Sequence, residues 1–492
     1  MIFNSVSFLV FLVIVIPLYW SLPRVFRLWL IFLSSLMFYG FWRIEFVPLM
    51  LFSSFVDYTA ARLIYTSTVI SRRRVILFIS ISINLGLLFY FKYLYFFIDN
   101  AISVMSVFGL QIDKPVLDII LPLGISFYTF QTISYTVDVY RGFIRPEKNF
   151  ILYACYVTFF PQLIAGPILR AKEVIHQFLH RPEFNMVDFG NGLRWVIYGL
   201  FLKVVLADNL APLVDDGFAQ PVSTLSALDV WTLAFMFGFQ IYFDFSAYSH
   251  IAIGSARMMG IHFPENFHYP YLAYSPREFW RRWHISLSSW IRDYLYLPLA
   301  GISVQDRSTG GLAVAAKQER DAPRRSLLLV LFLTWGIMGL WHGASWTFIL
   351  WGIYHATFIS LYRIFAPLAK SWPDYSTKIV GWAVTLPIVM LSWIPFRAES
   401  ISASLAMWKK IFSWHEYSWL GMRENIYLIV SLVFLCVIGS YFLRKWYVHT
   451  VESGGGKYAV FRISLESVMF AIIIGLVFVF LRPIQQFIYF QF

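Results

Sequence analysis

The sequence predicts an all-α protein that crosses a membrane many times. Three observations indicate this fold class: 59% of the 492 residues are hydrophobic, only 13% are charged, and apolar runs recur along the whole chain. A transmembrane helix needs about 20 mostly apolar residues, because it rises about 1.5 Å per residue across a hydrocarbon core about 30 Å thick. Roughly eleven to thirteen segments meet this requirement, near residues 5–20, 28–42, 46–66, 75–98, 119–138, 150–168, 189–207, 229–260, 326–343, 345–366, 376–396, 425–443 and 464–481.

The loops between these segments differ in charge. Cytoplasmic loops of membrane proteins are enriched in lysine and arginine. The alternate loops here carry only Arg43 and Lys114, whereas the loops after the first, third and fifth segments carry Arg24, Arg27, Arg72, Arg73, Arg74, Arg141, Arg145 and Lys148. This pattern predicts an N-terminus outside the cytoplasm, and it accounts for the net charge of +12 without a basic stripe of the kind that binds nucleic acid.

The sequence indicates neither a disulfide framework nor a metal centre. Cys155 and Cys436 both lie in apolar segments, where a cysteine usually behaves as a small buried hydrophobic residue. His262 and His268 are isolated from other types of metal ligand. We therefore expect no bound metal.

A few ionisable residues lie inside apolar segments. Asp57 is predicted to face the protein interior, and Lys92 to extend along a helix end toward the membrane surface. Asp244 precedes His250 and Arg257 in another apolar segment. A charge at the centre of a membrane helix costs about 2.5–3.5 kcal/mol, so Asp244 is predicted to face an interior polar space.

One apolar segment is interrupted by residues that break helices. FFPQLIAGPILR, residues 159–170, contains Pro161, Gly166 and Pro167. Non-helical backbone at membrane depth is tolerated only where protein or a water-filled cavity satisfies it. This segment is therefore a candidate cavity wall.

Charged residues are concentrated in FWRRWHISLSSWIRDYLYLPLAG, residues 279–301. On a helix with about 100° per residue, Arg281, His284, Ser288 and Arg292 form one stripe, and aromatic side chains lie opposite. Two interpretations stay open. The helix could lie on the bilayer as an interfacial amphipathic helix, or its basic face could meet lipid phosphates, a polar cavity or an anionic ligand.

A second histidine, His342, stands in the apolar and small-residue run GLWHGASW, residues 339–346. Such a histidine could be a structural hydrogen-bonding group, a ligand, or an acid or base. A neutral imidazole could take the proton of a hydroxyl that attacks an acyl carbonyl, and such help is typically worth about 10²- to 10⁴-fold in rate. Gly339 and Gly343 would let a substrate or another backbone come close. The chain has no Gly-x-Ser-x-Gly motif, which disfavours a serine-hydrolase mechanism.

These two segments are accompanied by LPLGISFYTFQTISYTVDVYRG (121–142), FFPQLIAGPILR (159–170), QIYFDFSAYS (240–249), PENFHYPYL (264–272) and WIPFRA (393–398). Together they resemble the membrane-bound O-acyltransferases. More specifically, they resemble the bacterial branch of this family, which includes the membrane subunit of alginate O-acetylation and the membrane protein of teichoic-acid D-alanylation. The chain departs from that branch at Ala247 and His250, where a glycine and an acidic residue are usual, and in a polar insert at 302–326.

The resemblance implies a fold whose helices ring a central funnel or tunnel, in a single domain over residues 1–492 with its signature region near 121–400. It places His342 at the family's essential histidine and His284 at its second characteristic histidine. The candidates for binding the substrate or donor, or for lining the tunnel, are Arg281, Arg282, Ser288, Arg292, Asp293, Trp341 and Asp244.

The resemblance also implies a reaction. In this branch an acyl group, usually acetyl, is taken from a cytoplasmic donor, expected to be acetyl-CoA, and passed across the bacterial inner membrane for O-acetylation of a polysaccharide such as alginate. An extracytoplasmic acetyltransferase is the expected partner protein, and no bound cofactor is expected.

Alternatives remain at this point. A transporter or flippase would move a lipid-linked or acyl-bearing molecule without covalent chemistry, although the chain lacks the repeated halves of many transporters. D-alanyl transfer and peptidoglycan acyl transfer are alternatives within the same family. The sequence leaves the polymer open.

Overall fold

The computed structural model describes residues 1–180, 183–302, 324–369, 371–452, 459–482 and 487–488. Within these ranges the chain forms helices and no strand, which confirms the all-α class. The polar insert predicted at 302–326 falls almost entirely outside them. The α-helices are α1 (Val6–Ser21), α2 (Arg24–Gly40), α3 (Val47–Thr66), α4 (Ile70–Leu88), α5 (Leu94–Val107), α6 (Ile125–Arg141), α7 (Phe150–Thr158), α8 (Ala171–His180), α9 (Met186–Leu200), α10 (Asp208–Phe218), α11 (Ala227–Met258), α12 (Pro276–Arg282), α13 (Ile285–Ile291), α14 (Leu297–Leu299), α15 (Arg324–His342), α16 (Trp346–Phe365), α17 (Asp374–Arg397), α18 (Ile401–Ile411), α19 (Glu424–Tyr447) and α20 (Ala459–Val479).

Many of these helices suit a bilayer. In the described part of the chain, seven helical stretches are long and apolar enough to cross a membrane, and two shorter apolar helices accompany them. The chain is therefore a multi-pass membrane protein. The seven are Ile44–Thr66, Ile70–Val107, Met186–Phe218, Trp346–Ala369, Asp374–Arg397, Glu424–Thr450 and Val460–Val479, and the shorter two are Val6–Ser21 and Leu327–His342.

The bundle has a buried centre and a lipid-facing rim. Helix α11 lies at the centre, because most of its 32 residues are buried on every face. Ser226 and Asp229 form a capping box that fixes its first turn. In contrast, the most apolar stretches of α19 and α20 are 6% and 0% buried within the protein. Apolar helices that are exposed all round require lipid around them, so these two form part of the rim.

Asp57 lies inside the bundle, as predicted. Its side chain is completely buried and accepts hydrogen bonds from Asn84 Nδ2 (2.7 Å), from Thr136 Oγ1 (3.1 Å) and from the Ser80 hydroxyl. The three donors belong to α4 and α6, whereas Asp57 belongs to α3. These hydrogen bonds therefore join three helices. Apolar side chains alone would favour contact with another helix little more than contact with lipid tails.

Helices α15 and α16 pack backbone against backbone. A Cβ atom on Gly352 would lie 2.1 Å from the carbonyl oxygen of Trp335, and one on Gly339 would lie 2.2 Å from that of Phe348. Both distances are far below van der Waals contact. Gly339 thus admits a neighbouring backbone, as its position beside His342 suggested, and the two helices are held close around that histidine.

We expect Gly352→Ala to lower the free energy of unfolding by about 1–3 kcal/mol, because α15 must move away from the added methyl group. The midpoint of thermal unfolding in detergent measures this effect. Gly336→Ala is the matched control, since a Cβ there meets nothing within 4 Å on the same helix pair. Equal midpoints for the two variants would contradict the close packing.

Candidate active site

The basic segment at 279–301 does not form the continuous amphipathic helix that its periodicity predicts. Helix α12 ends at Arg282, α13 begins at Ile285, and His284 between them has a left-handed backbone with φ of +41°. The break turns the His284 ring away from the stripe of arginines and into the core, where it is 0% exposed. Trp283 and Trp290 are also buried, so the aromatic face packs inside the protein and not at the membrane interface.

Asn266 holds this break in place. Its backbone oxygen accepts a hydrogen bond from Ile285 N (3.0 Å), and its side-chain Oδ1 accepts one from Ser286 N (3.1 Å). The same Oδ1 lies 3.3 Å from Nδ1 of His284. A backbone N–H can only donate, so the Asn266 atom is the oxygen, and the His284 nitrogen facing it is the protonated one.

His284 is therefore a neutral ring with a defined free end. Burial lowers the pKa of His284 from 6.5 to about 3, so it carries no charge at neutral pH. With Nδ1 protonated, Nε2 is the acceptor, and it has no hydrogen-bond partner among the described residues. Phe245 meets the ring edge-on with centroids 4.6 Å apart. This arrangement suits a group that accepts a proton or a hydrogen bond.

His342 ends α15 and is 4% exposed. Its ring lies edge-on to Trp341 and Trp351, with both centroid distances at 4.9 Å, and Phe396 packs 5.2 Å away. Aromatic neighbours leave the imidazole little rotational freedom. The ring is therefore held in one orientation before any substrate arrives.

Lys92 does not extend to the membrane surface, and that prediction is wrong. Its ammonium donates to the carbonyl oxygens of Trp341 (2.6 Å) and His342 (3.1 Å). These carbonyls belong to the last turn of α15, which has no intrahelical partners for them and carries partial negative charge. Lys92 therefore caps the helix that ends in His342.

A cavity of about 450 Å³, here called the histidine cavity, leads to His342. Met1 and Trp42 lie along it on the face of the N-terminus, and Lys92, Trp341 and His342 also line it. Ile164 of the broken segment 159–170 contributes to the lining, which confirms that segment as a cavity wall.

A second cavity of about 570 Å³, here called the arginine cavity, is lined by the part of α15 that precedes Trp341 and His342. Its lining includes four arginines and no carboxylate among the described residues, together with Ser288 and an apolar wall of Leu331, Trp335 and Met338. Three predicted residues, Arg281, Ser288 and Arg292, are thus brought together here. The four arginines are Arg277, Arg281, Arg292 and Arg363.

One turn of α15 separates the two cavities. Met338 lines the arginine cavity and Trp341 lines the histidine cavity, and three residues of an α-helix span about 4.5 Å. Stacked rings pack beside this turn: the ring centroid of Phe130 lies 5.3 Å from that of Trp341 and 3.9 Å from that of Trp290. The arrangement brings two access routes to within reach of one buried histidine.

Two other predicted residues, Asp293 and Arg282, lie outside the arginine cavity. Asp293 is buried and paired with Arg170 (2.8 Å) and with Arg292 (2.7 Å), so it anchors one of the cavity arginines. Arg282 pairs with Glu278 one turn earlier on α12. Arg282 is not among the lining residues of either cavity.

Asp244 faces a polar space inside the protein, as predicted, but it lines neither the histidine cavity nor the arginine cavity. It is buried and forms an ion pair with Lys203 (2.8 Å), whose ammonium also lies 2.8 Å from Asp208. Lys203 was not among the predicted site residues, although its position inside the apolar segment 189–207 is the same kind of signal as that of Asp244. Asn266 was not among them either, although it lies in PENFHYPYL, one of the segments that carry the family resemblance.

Comparison with known proteins gives a consistent result. The model of the MBOAT, membrane-bound O-acyltransferase family matches residues 144–316. The protein named "Probable alginate O-acetylase AlgI" in Azotobacter vinelandii is 36% identical over 91% of this chain and 86% of its own length. Its namesake in Pseudomonas aeruginosa is 36% identical over 93% of this chain and 85% of its own length.

A relative with a different named substrate is equally similar. The "Peptidoglycan O-acetyltransferase" of Helicobacter pylori is 36% identical over 78% of this chain and 73% of its own length. Such identity over most of both chains, together with the family match, means that the chain belongs to the membrane-bound O-acyltransferase family and is an acyltransferase.

Proposed function

We propose that this protein transfers an acetyl group from acetyl-CoA on the cytoplasmic side of the inner membrane to a polysaccharide hydroxyl on the outer side. The observation that carries the proposal is the meeting of two cavities across one turn of α15, with His342 at that turn. A donor and an acceptor could each approach from its own side of the membrane without exchanging places.

The chemistry of the arginine cavity supports acetyl-CoA as the donor. Arg277, Arg281, Arg292 and Arg363 supply positive charge that matches the phosphates of the coenzyme, and guanidinium groups bind phosphate with paired hydrogen bonds. Leu331 and Met338 supply an apolar inner wall suited to the arm that carries the thioester.

The distribution of basic residues supports the proposed orientation. Arg141, from the basic loop after the fifth predicted span, donates to the backbone of Asp293 (3.3 Å), and Arg73 donates to Tyr140 (2.7 Å). These arginines lie on the side of the arginine cavity, whereas the N-terminus lies along the histidine cavity. By the positive-inside rule, this distribution supports an arginine cavity that faces the cytoplasm and an N-terminus outside it.

In the proposed reaction His342 is the general base. Its neutral imidazole takes the proton of the acceptor hydroxyl while that oxygen forms a bond to the thioester carbonyl carbon. The carbon–sulfur bond then breaks, the coenzyme leaves as a thiolate, and the proton on the imidazole is available to it. The ring centroid of His284 lies 6.5 Å from that of Trp341. In the proposed reaction its Nε2, which can accept a hydrogen bond, orients the acceptor hydroxyl.

The names of the relatives support a polysaccharide acceptor. They specify alginate in two bacteria and peptidoglycan in a third. We propose the same class of acceptor here, reached directly or through an extracytoplasmic acetyltransferase that receives the group at the mouth of the histidine cavity.

The proposal is tested by reconstituting the protein in proteoliposomes with radiolabelled acetyl-CoA on the side of the arginine cavity. Label should appear covalently in a polysaccharide, or in an added partner protein, on the opposite side. Transport of an acetylated molecule that keeps its original bond would instead support the flippase alternative and overturn the assignment of acyl transfer.

We expect Arg281→Gln to raise the KM for acetyl-CoA about tenfold with little change in kcat, because a charged hydrogen bond of about 1.5 kcal/mol to a phosphate is lost before the chemical step. Steady-state acetyl transfer at varied acetyl-CoA measures both constants. Arg282→Gln is the matched control, since the adjacent arginine pairs with Glu278 outside the cavity. Equal changes in KM for the two variants would contradict the assignment of the cavity to the donor.

A further inference from the structure

A third pocket, here called the Arg444 pocket, shares no lining residue with the histidine cavity or the arginine cavity. Its volume is about 400 Å³, and it is formed between the loop after α11 and the end of α19. Its walls combine cationic and aromatic side chains: Arg444, Lys445, His268, His449, Tyr269 and Tyr441. The described lining residues include no carboxylate, and Glu265 stands nearby at 3.4 Å from His268.

The aromatic side chains form a structured wall. Tyr269 and Tyr441 meet edge to face with centroids 5.3 Å apart, and the guanidinium of Arg444 lies 5.9 Å from the Tyr269 ring. Tyr269 has a left-handed backbone with φ of +45°, which is unfavourable for a residue with a side chain. The loop therefore adopts a strained turn in order to present this tyrosine to the arginine.

The pocket stands where lipid meets water. Along α19, Leu428, Leu435 and Leu443 are each more than 60% exposed, so lipid tails cover this helix. Trp446, at the same end as Arg444, is 51% exposed, and tryptophan is typical of the membrane interface. A molecule with a phosphate in the pocket and acyl tails along α19 would contact both the basic pocket and the apolar surface of the helix.

The loop that forms the pocket also holds His284. His268 N donates to the carbonyl oxygen of Arg282 (2.9 Å), and the carbonyl oxygen of Asn266 accepts from Ile285 N (3.0 Å). These two hydrogen bonds flank His284 on both sides. A ligand that steadies Tyr269 would therefore steady the turn that orients the His284 ring.

We infer that the Arg444 pocket binds the phosphate headgroup of an anionic phospholipid from the adjoining leaflet. Basic pockets between membrane helices bind such headgroups, and each arginine or lysine near an anionic membrane surface contributes about a fivefold gain in affinity. The bound lipid braces the loop at residues 266–269 and, through it, the turn at His284. The site is separate from both cavities of the proposed reaction.

Lipid binding to the protein in phosphatidylcholine nanodiscs, with and without phosphatidylglycerol, tests this inference. Native mass spectrometry of the bound lipid and the shift in thermal unfolding give two readouts that do not depend on acyl transfer. Arg444→Gln should bind phosphatidylglycerol about fivefold more weakly than the wild type. Arg423→Gln, which removes the same charge from the opposite end of α19, should bind like the wild type, and Arg444→Lys should keep most of the affinity.

Two results would overturn the inference. The first is equal binding of phosphatidylglycerol by Arg444→Gln and the wild type. The second is an equal thermal shift that inorganic phosphate produces in neutral nanodiscs and that Arg444→Gln abolishes, because the pocket would then serve a soluble phosphate and not a lipid.

Discussion

Replacement of His342 by glutamine should lower the rate of acetyl transfer by about 10²- to 10⁴-fold, the usual contribution of a general base. Glutamine is similar in size and polarity but does not take up a proton near neutral pH. Trp341, Trp351 and Phe396 surround the ring of His342. We therefore expect no other base to take its place in the variant. The measurement is transfer of label from acetyl-CoA by purified protein under saturating donor.

The control for this variant is His250→Gln. His250 is half-buried in α11, contacts Trp195 with ring centroids 4.6 Å apart, and lines neither cavity. We expect His250→Gln to retain transfer within a few-fold of the wild type. Wild-type turnover by a correctly folded His342→Gln protein would refute the role of His342 as base.

Lys203→Met should cause the largest loss of stability, about 3–5 kcal/mol in the free energy of unfolding. The ammonium of Lys203 lies 2.8 Å from both Asp208 and Asp244, and all three side chains are less than 10% exposed. Removing the cation leaves two buried carboxylates facing each other without compensation. Unfolding in mixed micelles with increasing denaturing detergent, followed by circular dichroism, measures the change.

Two comparisons separate this effect from a general loss of packing. Arg194→Met breaks the ion pair with Glu466 (2.7 Å) two turns earlier, where the arginine is 52% exposed, and it should cost about 1 kcal/mol or less. Adding Asp208→Asn and Asp244→Asn to Lys203→Met should restore most of the lost stability. An unfolding profile of Lys203→Met identical to that of the wild type would rule out the buried network.

The fold class follows from the sequence because it depends on composition and on the length of apolar runs, which need no knowledge of neighbours. His342 was found for the same reason, since a histidine in an apolar run is unusual wherever the run packs. The prediction that Asp57 lies inside the bundle is confirmed. It rests only on the free-energy cost of a charged side chain in lipid, and that cost can be estimated without knowing which residues donate hydrogen bonds to the carboxylate.

The fate of residues 279–301 could not be predicted in that way. Helical periodicity assumes a continuous helix, and nothing within the segment interrupts it. The break comes from Asn266, which captures the backbone of Ile285 and Ser286 from a loop nearly twenty positions earlier in the chain. The aromatic side chains then pack in the core, although their pattern is equally typical of a membrane interface.

The partners of Asp244 and Lys92 could not be predicted for a related reason. Each was assigned from its own segment, but its partner belongs to a different one: Lys203 for Asp244, and the end of α15 for Lys92. Sequence reasoning recognises that a buried charge needs a partner. It does not identify that partner when several candidates lie in other helices.

The thin wall at α15 has an electrical consequence. If both cavities hold water, the membrane potential falls mainly across the one turn that separates Met338 from Trp341. An acetyl group is uncharged and crosses this steep field without electrical work, whereas each unit charge that leaked through would release or require about 2.3 kcal/mol per 100 mV. A protein that transfers acyl groups in this way must remain closed to ions at this turn, beside which the rings of Phe130, Trp290 and Trp341 stack.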